Sequence, residues 1–225
     1  MDMIDKLREL AARVERVRSR CVTEEGTKNA LVMPFIQALG YDVFDPLQVV
    51  PEFTADVGIK KGEKVDYALL RDDKPIILFE CKALGAKLDE SKSSQLHRYF
   101  HTTSARFAIL TDGVHYKLFT DLESPNLMDA RPFLEFDLTR IDDRTANEIK
   151  KFSRELFDVD QILSSASTLK YVKGIRQSQG LLLLGLRERS AAKELDDDNN
   201  YPKDVDPQVI RPERPQQHIQ WRTAL

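Results

Sequence analysis

The sequence Ile76-Ile77-Leu78-Phe79-Glu80-Cys81-Lys82 is a short, almost wholly apolar run that carries two charges at its end. Turn-forming residues bound it, with Asp72-Asp73-Lys74-Pro75 before it and Gly85 after it. Such a run is typical of a buried central strand. Because side chains at i and i+2 of a strand point to the same face, Glu80 and Lys82 are predicted to project together. Buried opposite charges are costly unless they are paired, hydrogen-bonded or bound to a metal, so this strand end is a candidate site.

A second strand is predicted just before this one, at Val65-Asp66-Tyr67-Ala68-Leu69-Leu70. Residues 71–74 between the two runs form a polar turn, so the spacing predicts a hairpin. Aspartate is disfavoured inside strands, and Asp66 therefore calls for a reason. We expect Asp66 and Glu80 to lie at the same end of the hairpin.

The rest of the chain alternates helical and strand patterns around this hairpin. Apolar periodicity predicts helices over 2–21, 23–40, from Asp89 or Ser91 to about 100, 143–157 and 159–173, and strands over 41–44, 47–57, 105–110, 114–119 and 133–138. Pro51 suits an edge or bulge position, and Asp112-Gly113 is the strongest two-residue hairpin signal in the chain. This order indicates an α/β fold with a mixed β-sheet flanked by helices.

Composition limits the classes of protein that fit. With 225 residues and 41% hydrophobic content, the chain can bury one good core. A formal net charge of −3 argues against a protein held to nucleic acid by bulk positive charge alone, although bound cations can neutralise an acidic site. Two cysteines, Cys21 and Cys81, make neither a disulfide framework nor a zinc site. Without a signal peptide or an apolar run of membrane-spanning length, a soluble cytoplasmic protein is expected.

Four segments are predicted along the chain. An N-terminal helix covers 1–22, a core 23–140, C-terminal helices 141–186, and a tail rich in proline and charge 187–225. The tail has few core-forming residues, so we expect it to be flexible or ordered by a protein partner.

The hairpin charges suggest metal-dependent hydrolysis. Magnesium prefers few protein carboxylates together with waters and substrate phosphate, which Asp66 and Glu80 can supply in part. Bound Mg²⁺ lowers the pKa of its water and stabilises charge on a phosphoryl oxygen. Lys82 beside it can orient that water, help to deprotonate it or stabilise the developing charge. Asp66, Glu80 and Lys82 are therefore a minimal set for phosphodiester hydrolysis.

These residues resemble a known family. Asp66 followed by Glu80-Cys81-Lys82 is similar to the PD-(D/E)xK nuclease superfamily, and Gln95 with Tyr99 is similar to the extra motif of its RecB-like branch. More closely, three stretches in this order resemble the N-terminal nuclease domain of type I restriction enzyme R subunits and their stand-alone relatives. They are Glu24-Glu25-Gly26-Thr27-Lys28, Phe35-Ile36-Gln37-Ala38-Leu39-Gly40-Tyr41 and Phe79-Glu80-Cys81-Lys82-Ala83, within about residues 20–140.

The resemblance implies roles for individual residues. Asp66 and Glu80 would hold Mg²⁺, for which Mn²⁺ is expected to substitute, and Glu25 would face the metal from the first helix of the core. Lys82 would position or activate water. Gln95 would orient the lysine or the DNA backbone and counts among the catalytic residues with Asp66, Glu80 and Lys82. Tyr99 would likewise orient the lysine or the DNA backbone, and it counts among the DNA-binding residues. From the residues alone, Lys60, Lys61 and Lys64 are candidates for phosphate contacts, against the commoner interpretation of a charged turn.

The sequence also differs from the R subunits in one respect. The ATP-binding pattern G-x-x-x-x-G-K-[ST] of their motor does not occur in this sequence. The expected function is a Mg-dependent DNA endonuclease of low intrinsic sequence specificity, acting in phage or bacterial defence or in DNA processing. Two alternatives stay open: a catalytically silent nuclease-like module that binds nucleic acid or a defence protein, and a junction resolvase or repair nuclease. The oligomeric state also stays open, a homodimer included.

Overall fold

The computed structural model describes residues 2–54 and 64–175, without the side chains of residues 90–93. Six strands and five helices are found there. The strands are β1 Val49–Phe53, β2 Val65–Arg71, β3 Lys74–Cys81, β4 Phe107–Thr111, β5 His115–Phe119 and β6 Leu134–Asp137. The helices are α1 Met3–Val17; α2, which joins Glu24–Thr27, a π-helical stretch Lys28–Val32 and Met33–Ala38; α3 Glu90–Thr102; α4 Asp143–Lys150; and α5 at 159–175. None of the described helices is long and apolar enough to cross a membrane.

The six strands form a single sheet in chain order, from β1 at one edge to β6 at the other. The pair β3–β4 is parallel, and all other neighbouring pairs are antiparallel. A parallel pair needs a crossover connection, which α3 provides between β3 and β4. The predicted α/β fold with a mixed sheet flanked by helices is confirmed.

The predicted hairpin is present as the antiparallel pair β2–β3. Tyr67 pairs with Phe79, and the register shifts between Leu69 and Leu70 near the turn. Pro51 lies on the edge strand β1, as its missing backbone donor requires. Hence the strands that carry Asp66 and Glu80 are interior strands with a neighbour on both sides.

Helices cover both faces of the sheet. One core cluster joins α1, α2, α4 and α5 to the sheet face that includes Ile77, Phe79 and Cys81. A second, smaller cluster lies against the other face, where α3 packs on Leu78. Cys81 and Phe79 therefore anchor β3 in the larger core, while Glu80 lies between them on the alternate side of the strand.

Two predicted elements differ from the structure. Residues 41–44 form turns instead of a strand, because the Asp42 carboxylate accepts a hydrogen bond from the Phe44 amide and so stabilises a local turn. The predicted helix 143–157 ends at Lys150. Beyond it, Arg71 donates hydrogen bonds to the carbonyls of Arg154 and Phe157, which fixes this stretch as irregular chain.

The helices near both ends of the described chain share the core of the sheet. Leu7 of α1, Ile149 of α4 and Ile162 of α5 belong to the same buried cluster as Phe79. Described residues up to 175 thus form one compact unit. The division into the four segments 1–22, 23–140, 141–186 and 187–225 stays a prediction, and the tail lies outside the described residues.

Candidate active site

The end of β3 brings its two charges together. The Lys82 ammonium lies 2.6 Å from Glu80 Oε1. The Lys82 backbone amide continues the parallel pairing by donating to the Thr111 carbonyl, which fixes the start of the loop after β3. Glu80 and Lys82 therefore project from the strand end on the same side, as their spacing predicts.

Asp66 connects β2 to the same place. Its Oδ2 accepts a hydrogen bond of 2.6 Å from the Cys81 backbone amide, between Glu80 and Lys82. Its Oδ1 lies 2.6 Å from the ammonium of Lys28. An aspartate in this strand is thus explained, because its carboxylate binds one backbone donor and one cation.

Glu80 is a buried carboxylate with an incomplete set of partners. The residue is only 4% exposed, and its Oε2 has no hydrogen-bond partner among the described residues. Burial is the largest influence and raises its pKa to about 7, in the same direction as the charge of Asp66 and against the hydrogen bond from Lys82. An unpartnered buried oxygen of this kind is costly unless a further donor or cation binds it.

Lys28 also belongs to this cluster of charges, although the sequence motifs assign no role to it. It lies in the π-helical stretch of α2, and its side chain is only 10% exposed. Besides Asp66, its ammonium contacts Glu25 Oε1 at 2.5 Å. Burial by itself lowers the pKa of Lys28, but hydrogen bonds to Asp66 and Glu25 outweigh it, so the pKa lies above its ordinary value. A signal was present, because Lys28 shares a helical face with the apolar Leu31 and Val32.

The two glutamates at the start of α2 have different positions. Glu24 lies between the two lysines, at 3.8 Å from the Lys28 ammonium and 3.7 Å from that of Lys82. The side chain of Glu25, predicted as a metal ligand, is 73% exposed and is paired with Lys28. Glu24 is therefore the carboxylate of α2 that lies close to the ammonium groups of both Lys28 and Lys82.

Thr27 fixes α2 against the loop that follows Lys82. Its hydroxyl is fully buried, accepts a hydrogen bond from the Leu84 amide and donates to the Thr23 carbonyl. Close packing on the β4–β5 turn adds to this. A Cβ on Gly113 would lie 2.9 Å from Leu31 atoms, so α2 depends on a glycine at this turn. The position of Lys28 is thus set by contacts on both sides of it.

The predicted residues outside this cluster have mixed outcomes. Gln95 donates a hydrogen bond to the Lys64 carbonyl and so contacts the start of β2. The Lys64 ammonium is exposed and pairs with Glu52 at 2.7 Å. Lys60 and Lys61 lie outside the described residues.

Tyr99 requires a correction. The residue is fully buried in the smaller core cluster and packs edge-on against Phe53. A side chain without exposed surface cannot contact DNA, so the predicted DNA contact of Tyr99 is wrong. The spacing of four residues from Gln95 places both residues on one helix, but Tyr99 faces the core and not the solvent.

The residues at the hairpin end fit a divalent cation in part. Asp66 and Glu80 carry oxygen atoms of the kind that hard divalent cations prefer. Glu80 Oε2, which has no hydrogen-bond partner among the described residues, could accept a cation. Among residues 2–54 and 64–175, no group of three or more histidine, cysteine, aspartate or glutamate side chains is arranged to hold a metal. Magnesium is commonly bound by one or two protein carboxylates together with waters and phosphate, so a larger group of ligands is not required for it. Lys28 is the cation that now neutralises Asp66.

A sizeable cavity lies elsewhere. It has a volume of about 770 Å³ at the far end of β2 and is lined by Lys6, Gly40, Arg71 and Arg154, among others. Arg71 is already bound to two backbone carbonyls there. The candidate chemistry is therefore identified by the charges at the hairpin end, and cavity size does not locate it.

Of the comparisons with known proteins, the one with family models agrees with the sequence motifs. No curated protein matches the chain. A solved structure described as the cryoEM structure of the DrdV–DNA complex is similar, at 19% sequence identity and a TM-score of 0.46, over 87% of this chain and 18% of that one. The chain thus spans about a fifth of that larger protein. Residues 23–129, which include Asp66, Glu80 and Lys82, match the family model of the type I restriction enzyme R protein N terminus. This part of the chain therefore resembles the R protein's N-terminal nuclease domain, as the sequence motifs indicate.

Proposed function

We propose that this protein is a Mg-dependent DNA endonuclease that hydrolyses phosphodiester bonds with low intrinsic sequence specificity. The observation that carries the proposal is Glu80. It is a buried carboxylate beside Asp66 on the neighbouring strand, and among the described residues one of its oxygens is bound to Lys82 and the other has no partner. The match of residues 23–129 to a restriction enzyme family supports the same class of reaction.

Asp66 and Glu80 would hold the divalent cation. When bound, that cation supplies an acidic water and positive charge for the phosphoryl oxygen. Lys82, held 2.6 Å from Glu80, would orient the attacking water and stabilise charge on the phosphate. Gln95 would act indirectly, by holding the start of β2 through the Lys64 carbonyl. Contacts to DNA would involve mainly the backbone, with Lys64 and its neighbours Lys60 and Lys61 as candidates.

A plasmid-nicking assay tests the proposal. Supercoiled DNA is incubated with Mg²⁺ or Mn²⁺ and the wild type, Asp66→Asn or Lys82→Met. We expect both substitutions to reduce the rate of nicking by at least about 100-fold, because Asp66→Asn weakens a ligand of the cation and Lys82→Met removes the charge that orients the attacking water. Linear and branched duplexes in the same assay separate a general endonuclease from a junction resolvase.

Controls come from the other end of the same hairpin. Asp72→Asn and Lys74→Met change exposed residues near the turn and should leave nicking unchanged. Nicking that survives Asp66→Asn or Lys82→Met would contradict the proposal and indicate a contaminating nuclease.

One observation favours a second candidate, a catalytically silent module that binds nucleic acid or a partner protein. Both carboxylate oxygens of Asp66 are already engaged, by Lys28 and by the Cys81 amide. Absence of nicking under any metal, together with retained DNA binding, would support this module.

A further inference from the structure

Lys28 contacts the hairpin end from α2, whereas Asp66 and Glu80 lie on β2 and β3. Its ammonium lies 2.6 Å from Asp66 Oδ1, while the other oxygen of Asp66 is bound to the Cys81 amide. No oxygen of Asp66 is therefore left without a partner. Each carboxylate oxygen can accept more than one contact, so a further cation would bind Asp66 beside Lys28 at Oδ1, beside the Cys81 amide at Oδ2, or after Lys28 moves away. In the first two cases the ammonium of Lys28 repels the second positive charge.

The burial of Lys28 makes this contact strong. A charged side chain that is 10% exposed remains charged only beside opposite charges, and here it has Asp66, Glu25 and, farther away, Glu24. Lys28 lies in a π-helical stretch, a local widening that often occurs at functional sites. The fold thus places the Lys28 ammonium beside the Asp66 carboxylate. Thr27, the preceding residue, fixes the same turn of the helix by accepting a hydrogen bond from the Leu84 amide.

Glu80 adds an independent observation that a ligand belongs here. Its Oε2 is buried and has no partner among the described residues, although two ammonium groups lie close to the cluster. Lys82 binds the other oxygen of Glu80, and Lys28 binds Asp66. The site is thus neutralised at Asp66 and incomplete at Glu80.

We propose that Lys28 is a positioning residue that serves as an internal counter-ion, whose ammonium occupies Asp66 and competes with the divalent cation for it. The inference rests on the proposed function, because it concerns the same metal site. Its consequence is that Lys28 weakens metal binding and keeps the site closed to metal at low metal concentrations. The half-buried Glu24 and the exposed Glu25 then receive the displaced ammonium, since both lie at the start of the same helix.

The test measures Mn²⁺ binding without DNA, by titration calorimetry or by the electron paramagnetic resonance signal of free Mn²⁺. Lys28→Met keeps an unbranched side chain that is one heavy atom shorter and removes the charge. We expect it to bind Mn²⁺ at least about tenfold more tightly than the wild type, because a positive charge beside the ligand is lost. Lys28→Arg keeps the charge and should bind within about threefold of the wild type.

A matched control is available in Lys151→Met. Lys151 also pairs with a glutamate three positions earlier, Glu148, at 2.8 Å, but it lies after α4. The Mn²⁺ affinity of the Lys151→Met variant should equal that of the wild type. Lys28→Gln is a second neutral variant, and circular dichroism confirms that each variant is folded.

The outcomes separate the two hypotheses. Tighter Mn²⁺ binding by Lys28→Met or Lys28→Gln, lost again on adding Asp66→Asn, supports the counter-ion role. Wild-type or weaker affinity in the folded neutral variants overturns that role alone, provided that the wild type binds Mn²⁺ through Asp66. Absence of Asp66-dependent binding in every variant overturns the proposed metal-dependent function as well.

Discussion

At the scale of single residues, Glu80 is the side chain whose environment has the clearest measurable effect. Burial raises its pKa from 4.5 to about 7. The folded protein therefore retains a proton that the unfolded chain releases between these two pH values. The stability contribution of Glu80 is present below pH 4.5 and is lost as the pH rises towards 7.

Glu80→Gln removes this titration while keeping an acceptor for Lys82. In buffer with a metal chelator, we expect the free energy of unfolding of the wild type to fall by about 1–3 kcal/mol more than that of Glu80→Gln between pH 4.5 and 8. Urea unfolding at both pH values, followed by circular dichroism, measures the difference. Parallel pH profiles of the two proteins would show that Glu80 ionises normally in the fold.

At the scale of elements, the contact between α2 and the β4–β5 turn positions the site. Gly113 has φ +82°, and a Cβ there would lie 2.9 Å from Leu31 Cβ and Cδ1. Because Glu24 and Lys28 belong to the same helix as Leu31, any shift of α2 moves two charges of the site. Packing against this turn thus sets the positions of Glu24 and Lys28.

Gly113→Ala should destabilise the protein by about 2–4 kcal/mol, the sum of backbone strain and a steric clash. Gly85→Ala is its control, since Gly85 has a similar φ of +81° but open space around the added Cβ. That control should lose only about 1 kcal/mol, from backbone strain. Equal losses in the two variants, measured by urea unfolding, would mean that α2 is not tightly packed on the turn.

At the scale of the whole molecule, helices from both ends of the described chain complete the core beneath the sheet. Leu7 of α1 is fully buried in the cluster that contains Phe79 and Cys81. The same cluster includes Ile149 and Ile162, from helices that follow the sheet in sequence. Residues outside the family match at 23–129 thus support the strand that carries Glu80.

Leu7→Ala should lower the free energy of unfolding by about 2–5 kcal/mol, because it leaves a cavity in this shared core. Leu127→Ala changes an exposed leucine and should cost less than about 0.5 kcal/mol. Both values come from urea unfolding. If Leu7→Ala behaves like Leu127→Ala, α1 is a separate appendage, as the predicted boundary at residue 22 implies.

Elements with a clear local pattern match their prediction from the sequence. The hairpin β2–β3 follows from two apolar runs and a polar turn, and its end carries Asp66, Glu80 and Lys82 as predicted. Residues 41–44 differ because local signals compete there, and the carboxylate of Asp42 forms a turn that strand propensity does not describe.

The sequence by itself determined most of the order of the elements, the central strand and the carboxylates at the end of the hairpin, because strand and helix periods are properties of neighbouring residues. Only the tertiary structure decided that Lys28 neutralises Asp66, that Glu24 contacts both lysines and that Tyr99 is buried. These facts depend on how α2 and α3 pack on the sheet. Packing joins residues far apart in the chain, and a local period carries no information about which of them meet.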